Sequence, residues 1–290
     1  MPTKKTMKLD AKEKSLIGIT MGDPGGIGPE VILKALTSPE IRAAANYVVI
    51  GSEKVLSNIS DRVLSDNISV LDLDNFTVNN ALSHKPLPDS GKASVEYILK
   101  GLDLAINGKI DALVTAPISK EAIKLAGYNY AGHTELLKEK TSVENVVMFM
   151  VGKGLRVSFV TTHLAVNEIS GAINQENVFS TIQITATGLK TFFGIDQPKI
   201  AVCGLNPHCG DGDRFGTEER DVIIPAIERA QKMGINCHGP LSADTVFNKA
   251  LNGEFDIVIV QFHDQGAIPI KMHAFDSGVN ITLGIPVIRT

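Results

Sequence analysis

The chain is poor in cysteine, in long apolar runs and in excess positive charge, and each shortage removes a class of protein. Its three cysteines, Cys203, Cys209 and Cys237, are an odd number in no CxxC spacing. They do not make a disulfide framework, and they fit a reducing, cytoplasmic setting. No stretch reaches the ~20 apolar residues that a bilayer span needs. Lys and Arg total 28 against 32 Asp and Glu, a formal net charge of −4. That leaves no basic field to hold nucleic acid by counterion release. The N-terminal MPTKKTMKLDAKEK is polar and basic without an apolar core. It reads as an unstructured lead-in rather than a secretory signal.

What remains, 290 residues with 43% hydrophobic and 21% charged, suits a globular chain of one large domain or two lobes. Short apolar runs alternate with helical periodicities. Strands are expected at 16–19, 47–50, 68–71, 112–115, 200–205 and 257–260. A hairpin is expected from 146–151 and 157–160 around Gly152-Lys153-Gly154. Helices are expected over about 29–37, 95–106, 175–193, 217–233 and 243–252. Wholly apolar strands alternating with helices predict an α/β fold with a mostly parallel sheet covered on both faces. The turn Gly22-Asp23-Pro24-Gly25-Gly26-Ile27-Gly28 follows a strand and opens a helix. It lacks the register of GxGxxG and has no Walker lysine. It reads as a tight connection that needs glycine at positive φ, with Asp23 and Glu30 available to a cleft.

Three histidines stand in unusual contexts, each just past an apolar strand: Thr161-Thr162-His163, Asn206-Pro207-His208 and Phe262-His263-Asp264-Gln265-Gly266. Open α/β sheets place chemistry at strand ends. Three converging imidazoles would hold a divalent ion and leave coordination positions open for substrate. The competing interpretation is three unrelated polar residues capping strands. Cys209 reads as a small passive neighbour of His208. Gly132-His133-Thr134-Glu135, taken alone, is a threonine N-cap with a solvent-facing histidine. Lys271, Asn280 and Arg289 form either an anion clamp or a set of surface residues. His84, His238 and His273 have no partner context and read as structural.

The ordered segments ITMGDPGGIGPE, LVTAPISKEA, AGHTELL, VSFVTTHLAV, VCGLNPHCGDGDRFGTEE, GPLSADTVF, QFHDQGAIPIK and GVNITLGIPVIRT, from Ile17 to the last residue, resemble the motif series of the 4-hydroxythreonine-4-phosphate dehydrogenase family of vitamin B6 biosynthesis. The resemblance implies a two-lobed α/β/α architecture like that of isocitrate and isopropylmalate dehydrogenases. It places a first lobe at 1–130 and 265–290 and a second at 131–264. It also implies a homodimer with its site near the subunit boundary. On matching positions, His163, His208 and His263 are the family's metal ligands, which are drawn from both subunits. His133, Thr134, Lys271, Asn280 and Arg289 are substrate-binding, and Asp244 and Asp264 are acidic residues close to the chemistry.

The implied activity is oxidation and decarboxylation of 4-phosphooxy-L-threonine by NAD or NADP, with one divalent ion: Zn, Mg, Mn or Co. Three alternatives stand beside it. One is a dehydrogenase of phosphorylated four-carbon sugar acids, another a metal-dependent hydrolase, and the last a non-catalytic binding protein. Ala267-Ile268-Pro269-Ile270-Lys271 resembles the biosynthetic branch, where the sugar-acid branch more often carries His-Gly-Pro. Cys209-Gly210-Asp211-Gly212-Asp213 departs from the family's Ala-Gly-Glu-Gly-Gly, which would shift cofactor contacts. Family members also carry a segment resembling Ser-Val-Asp-His-Gly-Thr after the position of Arg289, so weak NAD binding is expected of residues 1–290.

Overall fold

The alternation of apolar strands and amphipathic helices builds two sheets. A computed structural model describes residues 14–60, 66–77, 85–130 and 132–290. The expected N-terminal lead-in and His84 lie outside the described residues. The chain divides into two compact units, Met1–His133 and Thr134–Thr290.

Among the described residues of the first unit, β1 (Leu16–Thr20), β2 (Asn46–Gly51), β3 (Ile68–Asp72) and β4 (Ala112–Thr115) form a sheet in the order β3-β2-β1-β4. Every pairing in it is parallel. Helices α1 (Gly28–Leu36), α2 (Pro39–Ala44), α3 (Glu53–Ile59), α4 (Pro88–Ile106) and α5 (Lys120–Leu125) connect and cover these strands. The expected helix at 95–106 begins earlier, because Pro88 starts its first turn and Ser90 caps it against the Leu87 backbone.

The glycine-rich turn is a tight strand-to-helix connection, as its residues suggest. The Asp23 carboxylate accepts from the Gly25 N–H at 2.9 Å, and the Asp23 carbonyl accepts from the Gly26 N–H at 3.0 Å. Gly22 has φ +73, and a Cβ there would lie 2.2 Å from the Pro117 carbonyl oxygen.

Helix α6 (His133–Thr141) starts at the last residue of the first unit, and the rest of it belongs to the second. Its sheet has the order β10-β5-β6-β9-β7-β8, formed by β5 (Val147–Gly152), β6 (Leu155–Phe159), β7 (Ile200–Cys203), β8 (Cys237–Leu241), β9 (Ile257–Val260) and β10 (Val279–Leu283). β6, β9, β7 and β8 are mutually parallel, while β5 and β10 add antiparallel pairs at one side. The expected β5–β6 hairpin forms. Lys153 and Gly154 both take positive φ, the conformation that a two-residue turn matched to strand twist requires.

β7 and β9 are buried along their whole length, so their alternate residues must find different covers. Ile200, Val202, Ile257 and Ile259 pack with Val178, Phe179 and Ile182 of α7 (Gln175–Phe193) and with Ala226, Ile227 and Ala230 of α8 (Ile224–Lys232). Ala201, Cys203, Val258 and Val260 pack with Val246 of α9 (Ala243–Leu251) and with Ala267 and Ile270 of α10 (His263–Ala274). The expected helix over 217–233 is divided: a π-helical turn, Glu219–Ile223, precedes α8.

Residues 265–290, expected with the first lobe, lie instead in the second unit. The physical reason is direct: β10 pairs with β5, and α10 contributes to the core beneath β6 and β9. Among the described residues no helix is long and apolar enough to cross a membrane.

Gly22→Ala should destabilise the chain by about 2–4 kcal/mol, since it combines a positive-φ side chain with a backbone collision. Urea unfolding monitored by circular dichroism checks this; a loss below about 0.5 kcal/mol, the size of an ordinary surface substitution, would contradict it.

Candidate active site

Four neighbouring parallel strands end on one edge of the second sheet, and their order decides which loops meet there. In the sequence β6-β9-β7-β8 the loops carry His163, His263, His208 and Asp244 respectively. Residues far apart in the chain thus leave the same sheet edge, which is where open α/β sheets bind ligands.

Side-chain amides fix that edge. The buried Thr161 donates its hydroxyl to the Gln261 carbonyl at 2.7 Å and its backbone N–H to the same oxygen at 3.1 Å. The Gln261 side chain donates to the Cys203 carbonyl at 2.7 Å, and its backbone N–H donates to Gln265 Oε1 at 2.7 Å. Gln265 Nε2 donates to the Gly204 carbonyl at 2.8 Å. The Gly204 N–H then reaches the Leu241 carbonyl on β8 at 2.9 Å. The ends of β6, β9, β7 and β8 are therefore tied in series. Gln261 and Gln265 stood beside His263 in the sequence with no role visible there, because their partners lie on another strand.

The geometry brings His163 and His263 together, with ring centroids 5.8 Å apart and planes inclined at 35°. Phe159 lies against His263 at 6.3 Å between centroids. His263 Nδ1 is 2.7 Å from Asp264 Oδ1. In the neutral ring that contact assigns the proton to Nδ1 and leaves the Nε2 lone pair open for a ligand.

His208 is exposed on the adjacent loop, where every residue from His208 to Asp213 has positive φ. Each non-glycine residue in that conformation costs roughly 1 kcal/mol. The loop is pinned at its far end by Arg220, which pairs with Asp213 and Asp221. Burial, then the carboxylates of Glu219 and Asp244, push the Cys209 thiol up, against a hydrogen bond with the Gly204 backbone. Cys209 is thus kept as a protonated, unreactive thiol at neutral pH.

The histidines share an edge without forming one coordination sphere. Among the described residues no group of three or more His, Cys, Asp or Glu has metal-holding geometry within the chain. Asp244 is exposed in the first turn of α9. His133 and Thr134 are half-buried in the first turn of α6, with His133 inside the helix rather than before it. Lys271 is exposed on α10, eight residues past His263, or roughly 12 Å along the axis at 1.5 Å per residue. Asn280 is exposed on β10 and pairs with Met150, below the edge where the histidines stand. Arg289 is not a surface residue. It is 8% exposed, donates to Thr282 Oγ1 at 2.9 Å, and burial pushes its guanidinium down to about 10.

Fully covered parallel strands that present imidazoles and carboxylates at one edge define a site of the open α/β enzyme class. The chain belongs to the family described as "Pyridoxal phosphate biosynthetic protein PdxA", which matches residues 32–290. It is 43% identical to the 4-hydroxythreonine-4-phosphate dehydrogenase of Desulforapulum autotrophicum, over 96% of this chain and 86% of that protein. It is also 43% identical to an Oceanobacillus iheyensis protein provisionally named D-threonate 4-phosphate dehydrogenase, over 96% of this chain and 89% of that one. The crystal structure of the Klebsiella pneumoniae 4-hydroxythreonine-4-phosphate dehydrogenase superposes with a TM-score of 0.87 at 33% identity, covering 96% of this chain and 89% of the other. The two-lobed α/β expectation thus holds.

Gln265→Met keeps the volume but orphans the Gly204 carbonyl and the Gln261 N–H. It should cost about 2 kcal/mol or more in stability. Equilibrium denaturation measures this, and a change under about 0.5 kcal/mol would show that the amide brace does not hold the edge.

Proposed function

We propose that the chain oxidises the C3 alcohol of 4-phosphooxy-L-threonine and that the resulting β-keto acid loses carbon dioxide to give 3-amino-2-oxopropyl phosphate. The observation that carries this reading is the row of histidine-bearing loops on one braced sheet edge, in a chain whose relatives are named as dehydrogenases of this substrate. NAD or NADP, when bound, would supply the hydride acceptor for this oxidation.

His163, His208 and His263 would supply imidazole nitrogens to a divalent ion only with ligands drawn from two protomers, since within one chain they form no coordination sphere, and Asp264 orients the His263 ring. Zn, Mg, Mn or Co bound there would act as a Lewis acid on the substrate's oxygens. Asp244 and Asp264 are the carboxylates at this edge able to hold the alcohol proton. The family resemblance, rather than their placement in one chain, assigns Lys271, Asn280 and Arg289, with His133 and Thr134, to the phosphate and carboxylate ends of the substrate.

A second reading has one specific support: the Oceanobacillus relative is as similar as the Desulforapulum one. In it the substrate lacks the amino group and is a phosphorylated four-carbon sugar acid. Both are separated by following NADH formation with 4-phosphooxy-L-threonine and with D-threonate 4-phosphate. The amino acid should be preferred in kcat/KM. Preference for the sugar acid would replace the first reading, and phosphate release without NADH would overturn both. His163→Ala, His208→Ala and His263→Ala should each lose the divalent ion and most turnover. Full metal content in His208→Ala by elemental analysis would remove that residue from the set.

The dimer rests on α10. Ile268, Met272 and Phe275 recur at helical spacing and are 55%, 84% and 80% exposed. Such a contiguous apolar stripe marks an association surface. It flanks Lys271 and begins one turn from Asp264, so a partner seated there completes the surroundings of the site. Met272→Glu with Phe275→Asp should give a folded monomer with little activity. A sedimentation experiment showing an intact dimer would place the interface elsewhere. The reduced, buried thiols of Cys203 and Cys237 support a cytoplasmic setting.

A further inference from the structure

The loop that presents His208 is strained, and something must hold it. Glu219 is only 4% exposed and lies directly beneath that loop. One carboxylate oxygen accepts the Asn206 backbone N–H at 2.7 Å, and the other accepts the Asn206 side-chain amide at 2.9 Å. The same amide gives its second hydrogen to Glu218 at 2.8 Å, and Ser170 donates to the other oxygen of Glu218 at 2.5 Å. The Glu219 oxygens also fill the space between strand end and loop. A Cβ at Gly204 would lie 3.0 Å from one of them, and a Cβ at Gly210 3.1 Å from the other.

We propose that Glu219 is a positioning residue: its buried carboxylate, acting through Asn206, sets the left-handed loop that aims His208. Burying a carboxylate against neutral amide donors is an expensive way to gain stability, since a charge loses more on leaving water than such donors return. A carboxylate has one property that a glutamine lacks. Both of its terminal atoms accept, and Asn206 offers two donors from adjacent positions. Residue 219 therefore reads the backbone and the side chain of Asn206 at once and fixes the direction in which the chain enters Pro207 and His208. The π-helical turn Glu219–Ile223, an irregularity often found at functional sites, carries this side chain.

This inference rests on the role given to His208 above, and its test separates the two. In Glu219→Gln one terminal atom becomes a donor facing the Asn206 amide. The ring signals of His208 in ¹⁵N-histidine spectra should shift or broaden, while those of His163 and His263 stay in place. Turnover should fall at least about tenfold, the loss of one charge-assisted contact. In a His208→Ala background the same substitution should change turnover by no more than about twofold, because its route of action is already gone. Unmoved His208 signals, or an undiminished effect in that background, would overturn the proposal. If His208→Ala itself keeps full turnover, the catalytic role of His208 fails, and the ring spectra still decide whether Glu219 sets its loop. Should Glu219→Gln fold too poorly to purify, Asn206→Ala removes the side-chain half of the contact, leaving only the backbone N–H to Glu219, and must still displace the His208 signals.

Discussion

The carboxamides of Gln261 and Gln265 hold the edge from which every candidate catalytic loop of the second unit departs. Strand pairing alone fixes β6, β9 and β7 only up to Phe159, Val260 and Cys203. Beyond those residues the Val160 and Thr161 N–H groups still reach the Val260 and Gln261 carbonyls, but the Cys203 and Gly204 carbonyls take side-chain donors instead. Gln261 and Gln265 supply those donors, to Cys203 and Gly204, while Thr161 closes the other side. The arrangement carries a cost. Gln261 is fully buried, and its Oε1 has no hydrogen-bond partner among the described residues. An orphaned acceptor of that kind costs roughly 1–3 kcal/mol. A sheet edge that tolerates such a cost keeps its loops in register to a fraction of a side chain, which is what a multi-loop site demands.

Against this rigid edge the loop of His208 is the strained element. The run from His208 to Asp213 stays left-handed because residues on both sides hold it: the Glu219 and Glu218 carboxylates at the entry and Arg220 at the exit. Gly210 and Gly212 occupy two of those positions without steric penalty, and Asp211 and Asp213 tolerate theirs better than most side chains do. The strain falls hardest on His208 and Cys209, and of these two His208 is the one given a role in the chemistry. Strain retained at such residues is the pattern expected of a functional loop.

Much of this was legible in the sequence. The wholly apolar strand at 257–260 was readable to the residue, because continuous β-branched runs have few alternatives to a covered parallel strand. The helix at 175–193 has its expected span, and the structure closes it with an Asn174 cap at one end and left-handed Gly194 at the other. Other features depended on contacts between distant parts of the chain. The placement of 265–290 turned on β10 finding β5, and no periodicity in Val279 to Leu283 announces that partner. Arg289 reads either as part of an anion clamp or as a surface residue, because nothing local shows that its guanidinium is buried and donates to Thr282. The histidine contexts were conspicuous one by one. That they leave neighbouring strands in the order β6-β9-β7 is a property of topology, which local pattern does not encode.

One helix gives the site its link to the rest of the molecule. α10 starts at His263, so its positive end and the Asp264 carboxylate of its first turn sit where the imidazoles stand. Its inner face, Ala267 and Ile270, is locked beneath β6 and β9, so the helix cannot roll without unpacking that core. Its outer face carries Lys271 among Ile268, Met272 and Phe275, all exposed. Chemistry at one end and an unpaired apolar stripe along one side therefore belong to a single rigid body. If protomers associate through that stripe, the partner is positioned relative to His263 by packing alone, with no flexible connection between them. In that case the element that aims the imidazole would also fix the neighbour beside it, a physical reason for a small-substrate site to lie beside a subunit boundary.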